Sequence, residues 1–223
     1  MLTIHAADAV LVDRAGVRAV TVDGGTVVAM GTYEELAAAH PGARVRHWPG
    51  LLTPGLRHPR AVELLEAAYH PDPREAAELG TEPFTGEALA ALGLDDVRRG
   101  GSARRGLQRL LAHGTTAVTG PFTLPPVRTA VARSGLRVRE PAPGARPAPG
   151  DAPAGPNALD VLAGHPPHAL EALLDRPLTV GGPADFAVFD VPVDVPPSLA
   201  LREHGARSCV ATVLGGRLVH RRA

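Results

Sequence analysis

The chain has 223 residues, 44% apolar and 3% aromatic, and its 23 basic side chains balance its 23 acidic ones. That is enough length and apolar content for one large domain or two small ones. Zero net charge and scarce aromatics argue against nucleic acid, which asks for a basic stripe and stacking rings.

In chain order, the N-terminal third reads as short β elements. Thr3–Val12 and Val17–Val22 are rich in β-branched residues, and Asp23-Gly24-Gly25 is a turn signal before Thr26–Gly31, which predicts a hairpin. Thr32 with Glu35 three positions on is a capping box, so a short helix is expected through Ala39. Val45–Trp48 is a further strand leading into the apolar run Leu51–Leu56. Residues 60–69 read as helix, 70–86 as loop, and 87–98 and 102–113 as two helices. Leu107, Leu110 and Leu111 share one face of the second. After Gly114, Thr115–Thr119 reads as a buried strand, 124–134 as a helix with Pro125 and Pro126 in its first turn, and Leu136–Arg139 as a short strand. Residues 140–156 hold six prolines and read as a linker or irregular loop. Residues 157–175 read as helix interrupted at His165-Pro166-Pro167-His168. Asp185–Asp190, Ser208–Val213 and, beyond the Gly215-Gly216 turn, Arg217–His220 end the chain as strands.

The chemistry available is limited. Every basic residue is Arg, which is the mark of a GC-rich coding sequence such as those of actinobacteria. With no Lys, a Schiff-base, P-loop or carboxylated bridging lysine is excluded. No serine lies in Gly-x-Ser-x-Gly, and neither Gly24-Gly25 nor Gly100-Gly101 has phosphate-loop spacing. Cys209 sits in an apolar β run and reads as an inert core thiol; as the lone cysteine it rules out an internal disulfide and fits a reducing compartment. The Arg98-Arg99 and Arg104-Arg105 pairs read as a solvated helix face, with an anion grip as the other reading. No basic region with a following apolar run opens the chain, and no run of about 18 apolar residues occurs, so a cytoplasmic protein is expected.

Several segments resemble the amidohydrolase superfamily. Leu51-Leu52-Thr53-Pro54-Gly55-Leu56 resembles its first barrel strand, and Asp23–Gly31 the hairpin of its N-terminal β-sandwich. Gly114–Val118 resembles its second barrel strand, Gly181–Asp190 its late Gly-x-x-Ala-Asp strand, and Val213–Val219 its closing hairpin. Gly150–Asp160 resembles the strand-eight segment of the deaminase-like branch, with Asp151 as the metal-closing carboxylate and Leu159-Asp160 at the expected offset. Imidazolonepropionase and aminodeoxyfutalosine deaminase-like enzymes are the nearest resemblance. It implies an α/β fold, with a small β-sandwich built from residues 1–50 and 178–223. A truncated, degenerate βα barrel of the TIM type fills 51–177. It further implies hydrolysis of non-peptide C–N bonds with zinc or iron.

The departures from that pattern are specific. Where the family places His-x-His, this chain has Arg60 and Val62. The roughly 124 positions between Leu56 and Val180 admit only three or four βα units at about 30 residues each, so the later strands with the remaining His ligands are missing. Asp151 is the one ligand or catalytic equivalent that aligns, and one carboxylate does not hold a catalytic metal, which wants three protein ligands. His58, His70 and His113 lie nearest the expected barrel mouth and read as surface or loop histidines; His165 and His168 read as a turn. The expectation is a non-catalytic binding or scaffold protein with no cofactor, with a hydrolase rebuilt around Asp151 and His58 or His70 as the alternative. Open edges of a partial barrel call for cover by helices, the Pro-rich loop or self-association, so a homodimer or a protein partner is expected and the small-molecule ligand is left open.

Overall fold

In the computed structural model, residues 1–141, 158–162 and 170–222 are described. The chain divides into unit 1, Met1–Leu56, Leu111–Thr116 and Leu162–Ala223, and unit 2, Arg57–Leu110 and Ala117–Val161. The elements begin with β1 (Thr3–Val10), β2 (Ala19–Asp23), β3 (Thr26–Gly31), α1 (Tyr33–Ala39), β4 (Arg44–Pro54) and β5 (Leu56–His58). Then come α2 (Ala61–Glu66), β6 (Ala68–Tyr69), a 3-10 turn at Pro73–Glu75, α3 (Ala76–Leu79), β7 (Phe84–Thr85), α4 (Gly86–Ala91) and α5 (Asp96–Ala112). The remainder is β8 (Thr115–Thr119), α6 (Pro125–Ser134), β9 (Arg137–Arg139), α7 (Leu170–Leu173), β10 (Phe186–Phe189), α8 (Pro197–His204), a 3-10 turn at Ala206–Ser208, β11 (Cys209–Leu214) and β12 (Arg217–Arg221). This is a mixed α/β chain with a large mixed sheet.

Unit 1 is built on the seven-stranded sheet β12-β11-β10-β4-β1-β2-β3, to which both ends of the sequence contribute. β1 and β4 run parallel; the other neighbours are antiparallel. Alternation along β1 sorts the core. Ile4 and Ala6 point one way and pack with Ala19 and with Leu36 of α1. On the other side, Val20, Val22, Trp48, Leu52, Phe186, Val188 and Val213 form the larger cluster. His5 is buried beside that cluster, accepting the Trp48 indole N–H on Nδ1 at 3.2 Å and meeting the Phe186 ring edge-on at 4.9 Å between centroids. A buried indole needs such a partner, and the neutral imidazole supplies it. The Thr32 and Glu35 capping box opens α1 as expected from the sequence.

In unit 2, β8 and β9 pair in parallel from Ala117↔Arg137 to Thr119↔Arg139, within a three-stranded sheet ordered β5-β8-β9. α5 presents Gly100, Ser102, Ala103, Gly106, Leu107 and Leu110 inward. Gly106 is required there, because a Cβ would come within 2.7 Å of both His70 Nε2 and Leu65 Cδ2. α6 has no cap of its own type at Leu124; the Glu66 carboxylate reaches in and accepts from the N–H groups of Thr123 and Leu124 and from the Thr123 hydroxyl.

Several boundaries differ from the sequence reading. β4 runs unbroken from Arg44 to Pro54, and the break falls at Gly55. The helix expected over 60–69 ends at Glu66, because Ala68 and Tyr69 pair with Thr85 and Phe84. The expected loop 70–86 contains two short helical turns and β7. The two helices expected at 87–98 and 102–113 divide earlier, at 92–95, where Gly93 takes φ +54° and the Asp95 side chain accepts the Arg98 N–H at 2.7 Å. Gly100-Gly101 therefore lies inside α5, close packing outweighing glycine's low helix propensity. Of the helix expected over 157–175, the described residues 158–162 contain turns and Leu170–Leu173 makes one helical turn. The Pro-rich stretch from 142, Asp151 and His165–His168 lie outside the described residues. Among the described residues, no helix is long and apolar enough to cross a membrane.

Where the chain leaves β4, Gly55 donates its N–H to the Asp185 carbonyl at 3.2 Å and accepts from the Asp175 N–H at 2.9 Å. A Cβ there would fall 2.0 Å from Thr116 Oγ1. Gly55→Val is expected to destabilise the fold by about 3 kcal/mol or more, since an overpacked site next to backbone cannot relax. Urea unfolding of the variant against the parent measures it.

Candidate functional site

The segment that follows Gly55 carries the positions where the resembled enzymes hold metal. His58 is buried, and its Nε2 donates to the Ala158 carbonyl at 3.1 Å. Arg60 precedes α2, and its Nε and Nη2 atoms are shut off from solvent without a hydrogen-bond partner. Val62 follows in the first turn of α2 and offers no donor atom.

His58 and His70 are not the surface or loop histidines that the sequence suggests, because both rings pack into the interior: His70 is completely buried at the end of the same stretch. Its Nε2 donates to the Leu64 carbonyl at 3.0 Å, and its backbone N–H donates to Ser102 Oγ at 2.9 Å. Burial holds its imidazole down to about 4, aided by Arg109 and Arg105 and opposed by the Leu64 hydrogen bond. It is neutral at physiological pH.

Around it runs a network that reading the sequence as loop plus solvated helix face did not anticipate. Tyr69 donates its phenol to Glu75 Oε2 at 2.6 Å. Arg98 donates to Glu75 Oε1 at 2.8 Å. Arg105 donates from Nε to the His70 carbonyl at 2.8 Å and from Nη1 to Asp72 Oδ2 at 3.1 Å. Both guanidinium groups also lie over the Tyr69 ring, at 5.5 and 5.7 Å from its centroid. The Tyr69 hydrogen bond, then the Asp72 N–H, then Arg98 hold the Glu75 carboxyl down to about 2. Burial, then the bond to Glu75, pushes the Tyr69 phenol up, so it stays a donor. Two sequence signals point to this lock: Asp72-Pro73-x-Glu75 is a capping box, and Arg98 and Arg105 stand seven apart on one helix face.

Among the described residues, His58, His70 and His113 belong to no group placed to hold a metal ion. His113 follows α5 in unit 1 and is half-buried, whereas His58 and His70 belong to unit 2. Among the described residues, no group of three or more His, Cys, Asp or Glu side chains is placed to hold an ion. The residues at the ligand positions do not fit the zinc or iron of the resembled enzymes: a guanidinium has no lone pair and is always charged, and valine has nothing to give. Cys209 is buried, its thiol pushed up to about 11 by burial, as expected of an inert core thiol.

Residues 19–43, which form β2, β3 and α1, match the family model of the bacterial imidazolonepropionase-like composite domain. This bears out the resemblance read from the hairpin. Similar solved structures include E. coli guanine deaminase, at 17% identity and TM-score 0.42, over 63% of this chain and 36% of that one. Helicobacter pylori aminofutalosine deaminase is similar at 16% identity and TM-score 0.40, over 63% and 33%. N-isopropylammelide isopropylaminohydrolase from Burkholderia multivorans is similar at 16% and 0.42, over 63% and 37%. The matched part is thus about a third of the length of those chains. No curated protein matches the chain.

Two outcomes are expected from this geometry. The first concerns acid. His5 in unit 1, held down to about 4 by burial and then by Arg46, and His70 in unit 2 both bind their proton less readily when folded. The unfolded chain therefore takes up protons first as pH falls below about 6.5, and stability drops from there towards pH 4, by up to about 3 kcal/mol per histidine. Denaturant unfolding across that range checks it; constant stability would contradict it. The second concerns the lock. Glu75→Ala strands Arg98 and the Tyr69 hydroxyl and is expected to cost about 2 kcal/mol in urea unfolding.

Proposed function

We propose that this chain is an amidohydrolase-like protein that binds a ligand or partner without hydrolysing it. In this reading the β5-β8-β9 sheet is the remnant of a βα barrel, and the sheet shared by both chain ends corresponds to the composite β-sandwich. The single observation that carries it is the pair Arg60 and Val62 where the resembled enzymes place His-x-His. The surroundings support it. Arg60 adds a fixed positive charge where a divalent cation would have to sit, and like charges a few ångströms apart repel strongly away from bulk water. His58 and His70 spend their Nε2 atoms on backbone carbonyls.

The exposed Val138 of β9, the last strand in the β5-β8-β9 order, supports self-association or a protein partner as its cover. The alternative hydrolase, with a site rebuilt around Asp151 and His58 or His70, draws no support from a histidine as deeply buried as His70.

The metal content of the purified protein tests the proposal. The expected result is far less than one zinc or iron per chain after mild dialysis, with no turnover of guanine, imidazolonepropionate or aminofutalosine-type substrates. One tightly held metal per chain together with turnover abolished by Asp151→Ala would replace this reading with the alternative.

A further inference from the structure

We propose that Arg60 is the anchor of an oxyanion-binding site that takes a carboxylate or phosphate group. This deepens the binding reading above, and rests on it only in taking the position to be free of metal.

The argument begins with which nitrogens are unsatisfied. In a guanidinium, Nε–H and one N–H of Nη2 lie along one edge and point the same way, spaced to meet two oxygens of one carboxylate or phosphate. Those are the two atoms of Arg60 that are sealed from solvent and lack a partner. Native proteins rarely leave buried polar atoms unpaired, and a charged donor is the most costly kind to leave so.

The rest of unit 2 shows what this sequence does with an arginine that has an internal role. Arg98 meets Glu75 at 2.8 Å, and Arg105 meets Asp72 at 3.1 Å. Among the described residues, no acidic side chain is paired with Arg60. A neutral ligand would leave the charge uncompensated, and a cation would be repelled. An oxyanion satisfies both donors and the charge together, which fixes the ligand class.

The test reads anion-dependent stability and the Arg60 side chain itself. Thermal unfolding is compared in chloride, inorganic phosphate and acetate at matched ionic strength. A rise of roughly 5 °C is expected in the bound anion at about a hundredfold its Kd. Arg60→Met should abolish the rise, and Arg60→Lys, which keeps the charge and loses the fork, should reduce it. In chloride alone, Arg60→Met should unfold at the same or a higher temperature than the parent, because it removes stranded donors. A rise in phosphate only assigns a phosphate ligand; a rise in acetate only assigns a carboxylate.

Should Arg60→Met not fold, the Arg60 Nε–H resonance of the parent, assigned by its loss in Arg60→Lys, should shift on titration with phosphate or acetate. Equal unfolding temperatures in all three anions with an unmoved resonance, or a rise retained in Arg60→Met, overturns the site. The metal measurement is independent. One zinc or iron per chain would sink the non-catalytic reading, and a flat anion titration would sink the site alone.

Discussion

The constraint on which unit 1 turns is the absence of a side chain at Gly55. Three stretches far apart in sequence meet its backbone or the next residue. The Asp185 carbonyl and the Asp175 N–H bond to Gly55, Leu56 donates to the Gly114 carbonyl at 2.9 Å, and Thr116 occupies the space a Cβ would need. Any side chain there would collide with Thr116 of β8. Asp185 extends the same junction by accepting the Gly215 N–H at 2.5 Å, which ties the turn before β12 to the start of β10. The Thr-Pro-Gly-Leu run and the Gly-x-x-Ala-Asp run are therefore two halves of one backbone junction. This gives them a structural reason to exist.

Beyond that junction the chain solves a different problem. Residues 57–75 must be fixed against α5. They are fixed by arginine. Tyr69 is buried and needs a partner for its hydroxyl, Glu75 supplies it, and two guanidinium groups close the network while covering the aromatic ring. Lysine would not do the same work, since a point charge neither forks across two oxygens nor stacks its plane on a ring. The all-arginine composition, read first as coding bias, thus has a structural use at these positions.

Much of unit 1 was legible in the sequence because its signals are local. The capping box at Thr32, the β2–β3 hairpin and the closing strands each depend on residues a few positions apart, and they fall where expected. Unit 2 was legible mainly at β8 and α6, where glycine and proline mark the ends. The misread parts share one cause: tertiary contact overrode local preference. Gly100-Gly101 looked like a break and lies within a helix. Residues 70–86 looked like loop because their prolines and acids do not announce that Asp72 and Glu75 meet Arg105 and Arg98 about thirty and twenty positions away. The candidate site was legible as residue types at spacings, with Arg60 and Val62 standing where the resemblance would put His-x-His. That the Arg60 edge is sealed and unpartnered is visible only in three dimensions.

The histidines show why chemistry has to be argued from geometry as well as from titration. A neutral imidazole is what a metal prefers, so a depressed pKa alone would recommend His70 as a ligand. Its depression comes first from burial, however. Nε2 is committed to the Leu64 carbonyl, and the Gly106 backbone packs so closely that a single added carbon would collide with the ring. The lone pair on Nδ1 points into protein. His70 is thus a spacer that joins the end of α2 to α5, with a neutral charge state as the consequence of that role.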